Sequence, residues 1–192
     1  MRKVKLQMQV SIDGFVAGEQ GEMDWMTWNW DDRLKEYVNQ LTESTDCILL
    51  GRVLAQGFIP HWSKVAADPG NPESEAGKKI VRAHKVVFTK TLEKSDWDNT
   101  VLAKGKLVDE INRLKNEEGG DIIVYGGGSF VSSLISENLI DEYHLFVNPV
   151  ILGKGLPIFS EVGGNLKLEL QDSFPFKCGI TVNKFAKKGQ GF

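Results

Sequence analysis

The chain has 192 residues, of which 41% are hydrophobic and 26% charged, and this composition is typical of a globular protein. The length suits one domain over residues 1–192, and the formal net charge of −3 gives no sign of the basic surface of a nucleic-acid-binding protein. No apolar run is long enough to cross a membrane, and residues 4–15 are too polar for a secretory signal. We therefore expect a cytoplasmic protein.

The hydrophobic pattern predicts alternating strands and helices in the first two thirds of the chain. Short apolar runs predict strands, and apolar residues repeating every three or four positions predict amphipathic helices. The predicted elements are strand Lys5–Val10, helix Asp31–Thr42, strand Cys47–Leu50, strand Lys85–Phe88, helix Lys106–Glu117, strand Asp121–Tyr125 and helix Phe130–Ser136. Strands that alternate with helices usually form a parallel sheet covered on both faces.

The pattern changes after Asp141, where three strands follow with no helix between them. They are predicted over Tyr143–Val150, Leu166–Gln171 and Gly179–Phe185. Consecutive strands of this kind usually pair antiparallel. The sequence thus predicts an α/β fold with a mixed, mostly parallel sheet and an antiparallel C-terminal edge.

Three smaller features complete the prediction of local structure. The segment Pro60–Ser74 is expected to be a loop because proline and glycine recur in it. The segment Lys187–Phe192 is expected to be a frayed tail. Cys47 and Cys178 lie in apolar, strand-like runs and are expected to be free thiols.

The strongest indication of a binding site is the segment Gly126–Ser129. Its three glycines follow a buried strand and precede a helix, and glycine there permits positive φ angles and close approach of a ligand. The free N–H groups and positive dipole end of a helix N-terminus suit a phosphate, although a plain tight turn is the alternative. Val131 stands where the Rossmann fingerprint has its third glycine, so a Rossmann dehydrogenase fold is not predicted.

Two other strand ends carry groups that suit phosphate. Gly51 and Arg52 follow one buried strand, and Thr89 and Lys90 follow the next. Ligands of open α/β sheets bind beyond the carboxyl ends of the strands. Arg52 and Lys90 are therefore candidates for charge-assisted hydrogen bonds to phosphate groups, although each alone is also consistent with a solvated cap.

Candidate substrate-binding residues lie on the first strand and in the loop that follows it. Gln9 follows the alternation of the strand and either contacts a substrate or faces solvent. Trp25, together with Trp28 and Trp30, either stacks on a heteroaromatic ring or anchors its loop. Asp32 at the start of the first helix is a candidate acid, with helix capping as the alternative.

Six segments taken together carry a family resemblance. They are Ser11–Gly18, Gly51-Arg52, Phe88–Lys90, Gly126–Ser129, Asp141–Tyr143 and Asn148–Phe159. Their pattern resembles the dihydrofolate reductase superfamily, and most closely the reductase domain of the bifunctional riboflavin-biosynthesis deaminase-reductase and its stand-alone relatives. The resemblance covers nearly the whole chain and implies the three-layer dihydrofolate reductase-like fold, NADPH as cofactor and hydride transfer.

The resemblance also implies functions for individual positions. Gly51, Arg52, Thr89 and Lys90 match contacts on the 2′-phosphate side of the cofactor. The turn of Gly126, Gly127, Gly128 and Ser129 matches the pyrophosphate site, and Ala17 with its neighbours matches the segment beside the nicotinamide.

Two departures from the dihydrofolate reductases argue against folate as the substrate. Val53 and Leu54 stand where those enzymes carry histidine and threonine, and Arg33 falls at the position of their substrate-binding acid. The zinc-deaminase signature is missing from the sequence, so no deaminase activity is expected. The three histidines are isolated, and no metal site is predicted.

We therefore expect an NADPH-dependent reductase of a small heterocyclic or carbonyl substrate. If the riboflavin-type relatives are the guide, the substrate is 5-amino-6-(5-phosphoribosylamino)uracil. The resemblance further implies a homodimer through the C-terminal edge strands, because an exposed edge invites pairing. No catalytic proton donor is assigned. The alternatives are a nucleotide-binding module without turnover and a divergent dihydrofolate reductase.

Overall fold

An eight-stranded sheet runs through the part of the chain that the computed structural model describes, residues 1–188. The strands are β1 Val4–Val10, β2 Phe15–Ala17, β3 Thr45–Gly51, β4 His84–Phe88, β5 Thr100–Ala103, β6 Asp121–Gly126, β7 Glu142–Val147, β8 Leu156–Pro157, β9 Leu168–Pro175 and β10 Thr181–Lys187. The helices are α1 Asp32–Glu43, α2 Arg52–Ala67, α3 Ser74–Arg82, α4 Leu107–Asn116 and α5 Gly128–Ser136.

The strand order confirms the predicted sheet. It is β5-β4-β3-β6-β1-β7-β10-β9, and the first six of these strands are parallel. Strand β10 pairs antiparallel with both β7 and β9, which forms the antiparallel C-terminal edge. The short strands β2 and β8 pair with each other outside this sheet.

Helices cover both faces of the sheet because its strands alternate apolar residues between them. On one face, Leu6 and Met8 of β1 pack in a core with residues of α4 and α5. On the other face, Ile48 and Leu50 of β3 pack with residues of α1 and α2. The sheet is therefore the middle of three layers, and the odd-numbered side chains of β1 face the α1 and α2 layer.

The prediction of a loop over Pro60–Ser74 is wrong for its first half. Helix α2 continues to Ala67 with Pro60 inside it, and only residues 68–73 connect it to α3. Ile59 and Val65 are buried on either side of the proline, so the apolar face of the helix extends past it. Pro60 itself is exposed, and water can reach the carbonyl group that loses its helical hydrogen bond.

Helix α3 and the short strands β2, β5 and β8 were not predicted, and other differences lie near the ends of elements. Helix α5 begins at Gly128, two positions before the predicted start, and Lys187 belongs to β10. The rest of the predicted tail from residue 189 lies outside the described residues. Both cysteines are free, but Cys178 lies in the turn between β9 and β10, whereas Cys47 is buried in β3 as predicted. Between residues 1 and 188, no helix is long and apolar enough for a membrane span.

Candidate functional site

Two helix N-termini lie side by side at the carboxyl edge of the sheet. Helix α2 begins at Arg52 after Gly51, and helix α5 begins at Gly128 after Gly127. A Cβ atom on Gly127 would lie 3.3 Å from the Cα atom of Gly51, and one on Gly51 would lie 2.9 Å from the Cβ atom of Phe130. The two helix starts therefore approach each other through glycine backbone.

Neither of these helix starts is capped by a side chain among the described residues. The first N–H groups of an α-helix have no partner within the helix, and its N-terminus carries a partial positive charge. Gly126 and Gly127 have φ angles of 138° and 81°, which turn the chain from β6 into α5. The arrangement can thus offer N–H donors from two helices to one anion. Ser129 is exposed in the first turn of α5.

Basic residues follow the strands next to this pair of helix starts. Gly51 is paired in register with Phe88 of β4, and Phe88 is paired in register with Ala103 of β5. Arg52 and Lys104, which follow β3 and β5, therefore lie at the same edge of the sheet, Arg52 half-buried and Lys104 exposed. Lys104 was not predicted as a site residue because β5 has only 4 residues and a weak apolar pattern.

Thr89 and Lys90 follow β4 between these two positions. Thr89 is buried, and its Oγ1 atom accepts hydrogen bonds from two backbone N–H groups of the following turn, at 3.1 and 3.0 Å. It thereby shapes the loop that carries Lys90, whose side chain is exposed. The structure brings three basic side chains to one edge of the sheet, beside the two helix starts.

The sheet opens between β1 and β6 close to the glycine turn. On β1 the pairing of these two strands extends only from Val4 to Leu6, and Leu6 is paired with Val124 of β6. On its other side, β1 stays paired with β7 as far as Val10. The ladder between β1 and β6 therefore ends at Leu6. We call the place where these two strands are no longer paired, from Gln7 on β1 and Tyr125 on β6 to their carboxyl ends, the slit.

Ala17 lies in β2, the short strand that follows β1 in the chain. It is buried, and β2 is held by pairing with β8, where Ala17 is level with Leu156. The preceding residue, Val16, would contact a Cβ atom on Gly128 at 3.5 Å. The segment beside Ala17 is thus in contact with the first turn of α5.

Gln9 is turned toward the loop that carries the tryptophans. Its Oε1 atom accepts a hydrogen bond of 3.1 Å from the Nδ2 atom of Asn148, and the Oδ1 atom of Asn148 accepts one of 2.8 Å from the backbone of Thr27. Asn148 is fully buried. Asn148 thus joins β1 to the tryptophan loop, and a local sequence pattern does not reveal this because the joined residues are far apart in the sequence.

The tryptophans of this loop differ in their surroundings. Trp30 stacks on Phe146 with ring centroids 5.9 Å apart, so it anchors the loop. Trp25 is half-buried, and its indole N–H donates to the backbone carbonyl of Glu22 at 3.1 Å. Trp28 is 62% exposed. Trp28 therefore has an exposed ring, and Trp25 and Trp30 are each partly accessible.

The two aspartates at the start of α1 differ in what they contact. Asp31 caps the helix and accepts hydrogen bonds from the backbone N–H groups of Leu34 and Cys178, and these contacts lower the pKa of its carboxyl group. Asp32 is exposed in a surface groove of about 460 Å³ that Phe174 and Phe176 also line. No hydrogen bond or ion pair among the described residues joins Asp32 to the loop of tryptophans or to β1.

Comparison with solved structures defines the class of fold. The chain is similar to a dihydrofolate reductase from Enterococcus faecalis complexed with NADP(H), with a TM-score of 0.62 and 14% identity over 97% of this chain and 96% of the other. A protein assigned to riboflavin biosynthesis from Shewanella sp. PV-4 has a TM-score of 0.72 and 26% identity, with 98% of this chain and 99% of the other covered. The fold is that of the dihydrofolate reductases.

The family follows from the sequence. The family model of the RibD C-terminal domain matches residues 2–182, and the chain belongs to this family of reductases. The chain is also 32% identical to the uncharacterised protein YyaP of Bacillus subtilis (strain 168) over 181 residues, which are 93% of this chain and 92% of YyaP.

Substitution by alanine distinguishes the two central glycines. Gly127→Ala requires a side chain at φ 81° against the backbone of Gly51, so we expect it to lower the free energy of unfolding by about 2 kcal/mol. Gly128→Ala makes only an ordinary contact with Val16 and is expected to change it by less than about 0.5 kcal/mol. Urea unfolding measures both. Equal losses would mean that the turn does not depend on the conformation of Gly127.

Proposed function

We propose that this protein is an NADPH-dependent reductase that transfers a hydride to a small heterocyclic or carbonyl substrate. The observation that carries the proposal is the meeting of two helix starts at Gly51 and Gly127, neither capped by a side chain. A diphosphate group matches this arrangement in charge and in its need for several N–H donors. The family of reductases to which the chain belongs supports the same conclusion.

Each part of the cofactor has a matching part of the site. Gly126, Gly127, Gly128 and Ser129 would hold the diphosphate together with Gly51 and the start of α2. Arg52, Lys90 and Lys104 would surround the 2′-phosphate, with Thr89 shaping their loop. The slit between β1 and β6 beside Ala17 would take the nicotinamide ring. NADPH supplies the hydride when bound, and the protein binds and orients it.

The substrate would lie on the α1 and α2 side of the slit. Gln9 and Trp25 border that space, and we propose that they contact the substrate ring, with Asp32 at the outer end of the same loop. The resemblance to riboflavin-type reductases makes 5-amino-6-(5-phosphoribosylamino)uracil the first candidate, reduced at its sugar. The similarity to the Shewanella protein assigned to riboflavin biosynthesis supports this choice. A cytoplasmic location and a homodimer through the exposed edge strand β9 belong to the same proposal.

A second candidate function is nucleotide binding without turnover. The two acids nearest the proposed substrate space favour this candidate, because neither is placed as a proton donor. Asp31 caps α1, and Asp32 is exposed in the surface groove. A divergent dihydrofolate reductase ranks below both, because Val53, Leu54 and Arg33 replace the residues expected for folate.

Turnover separates the three functions. We expect NADPH to lose its near-ultraviolet absorbance when the protein is mixed with 5-amino-6-(5-phosphoribosylamino)uracil, and not with dihydrofolate. NADPH binding without oxidation by either acceptor would support the binding module instead. If titration calorimetry detects no NADPH binding, the proposal as a whole is wrong.

A charge placed at the start of α5 tests the diphosphate site. Gly128→Asp adds a carboxylate where the diphosphate would bind, and we expect it to weaken NADPH binding at least about tenfold by repulsion. Gly128→Asn has nearly the same shape without the charge and is expected to cost less than about threefold. Titration calorimetry measures both. Equal affinities of the two variants would place the diphosphate elsewhere.

Arg52 is expected to bind the 2′-phosphate of NADPH. Arg52→Ala should weaken NADPH binding about tenfold and NADH binding much less, because only NADPH carries the phosphate that the guanidinium would contact. Lys64→Ala, a basic residue in the last turn of the same helix, is the matched control and should change neither affinity. Equal losses of affinity for NADPH and NADH in Arg52→Ala would show that Arg52 does not bind the 2′-phosphate.

A further inference from the structure

A single carboxylate joins the turn after β1 to the loop after β7. Asp13 lies between β1 and β2, and its Oδ1 atom accepts a hydrogen bond of 3.2 Å from the backbone N–H of Leu152. Its Oδ2 atom accepts a second hydrogen bond, of 2.7 Å, from the backbone N–H of Gly153. Gly153 has a φ angle of 73°, so the loop turns at the point where the carboxylate binds it. Asp13 therefore holds together two segments that are far apart in the sequence.

The same carboxylate fixes the turn in which it lies. Its Oδ1 atom accepts a hydrogen bond of 2.7 Å from the hydroxyl of Ser11. The Oγ atom of Ser11 in turn accepts one of 2.9 Å from the backbone N–H of Phe15. Ser11 is buried and directly follows β1, and Phe15 is the first residue of β2. The hydrogen bonds thus connect the end of β1, the start of β2 and the loop before β8 through Asp13.

The surroundings of Asp13 suit a structural contact and not the delivery of a proton. The hydrogen bonds from Ser11, Gly153 and Leu152 lower the pKa of its carboxyl group, so the group is ionised at neutral pH. Both carboxylate oxygens accept hydrogen bonds, and such bonds are stronger to an ionised acceptor than to a neutral one. An ionised acid with both oxygens occupied has no proton to donate.

The two segments that Asp13 joins hold Ala17 in place. Strand β2 pairs with β8, where Ala17 lies opposite Leu156. A Cβ atom on Gly155 would overlap the carbonyl oxygen of Ala17, so the loop before β8 lies directly against β2. On the other side, Val16 lies 3.5 Å from the position of a Cβ atom on Gly128, at the start of α5. A shift of the turn would therefore move Ala17 relative to α5.

We propose that Asp13 is a positioning residue that holds Ala17 beside the nicotinamide ring of the cofactor. The inference rests on the proposed function, because that function places the nicotinamide beside Ala17 and the diphosphate at the start of α5. Asp13 then controls the affinity for the nicotinamide half of NADPH. The adenosine half depends on Arg52, Lys90 and Lys104, with which Asp13 has no hydrogen bond or ion pair in the described part of the chain.

The test compares NADPH with adenosine 2′,5′-bisphosphate, which carries the 2′-phosphate and lacks the nicotinamide. Asp13→Ala removes the acceptor, so the loosened segment must be ordered again when NADPH binds. We expect about tenfold weaker binding of NADPH by this variant and a change of less than about twofold for the bisphosphate. Asp13→Asn keeps one acceptor oxygen and replaces the other by an NH2 group, and should lose affinity for NADPH alone, by a smaller factor. Titration calorimetry measures all four affinities.

A control variant and a measurement without ligand complete the test. Asp68→Ala removes an aspartate that accepts a hydrogen bond of 3.0 Å from the backbone N–H of Gly70, within the connection of α2 to α3, and should change neither affinity. Hydrogen exchange reports the contact itself. The amide hydrogens of Leu152 and Gly153 should exchange at least about tenfold faster in Asp13→Ala than in the unmodified protein.

Several results would overturn this inference. Equal weakening of both ligands in Asp13→Ala would mean that Asp13 stabilises the fold as a whole. Unchanged affinity for NADPH would mean that the contact has no effect on the nicotinamide half, and unchanged hydrogen exchange would mean that the contact does not hold the loop. In each of these cases NADPH binding by the unmodified protein would leave the proposed cofactor site standing. Failure of the unmodified protein to bind NADPH would instead overturn the proposed function, and this inference with it.

Discussion

The close contact between Gly51 and Gly127 is the constraint on which the rest of the site depends. Strands β3 and β6 are neighbours in the sheet, although α2, α3, β4, β5 and α4 lie between them in the chain. Each strand leads directly into a helix, so the two helices start at adjacent points of one edge. Two positive helix ends this close repel each other, and a bound anion offsets that repulsion. This repulsion is one reason for proposing that the site binds an anion.

The opening of the sheet beside this contact gives the site its second half. Because β1 leaves β6 after Leu6 but stays with β7, a slit forms without any break in the rest of the sheet. The backbone groups of β1 that face the slit, together with Gly126 on the other side, can approach a flat ring closely. A Cβ atom on Gly126 would lie 3.3 Å from the side chain of Leu54 and 3.4 Å from that of Met8, so a larger residue would crowd this end of the strands.

The strand, glycine turn and helix start of the proposed cofactor half could be predicted from sequence because their requirements are local. A strand, three glycines and a helix start at Gly126–Ser129 need only one segment, and Arg52 directly follows its strand. The slit depends on register between β1, β6 and β7, and Asn148 acts through Gln9, 139 positions away in the sequence. A local sequence pattern predicts neither the slit nor the contact between Asn148 and Gln9. The loop predicted from Pro60 is wrong in its first half because burial of Ile59 and Val65 outweighs the local preference of proline to end a helix.

The net charge of the whole chain does not predict the site, because the site depends on which residues the fold brings together. The net charge of −3 is an average over the chain, whereas Arg52, Lys90 and Lys104 are collected at one edge by the pairing of β3, β4 and β5. On the substrate side the structure presents amides and aromatic rings, with Gln7, Gln9 and Asn148 on or beside β1 and β7. Amides select a ligand by its hydrogen-bond donors and acceptors and not by its charge. These properties agree with the proposed function, in which a phosphate-rich cofactor would bind at the helix starts and a polar, uncharged ring across the slit.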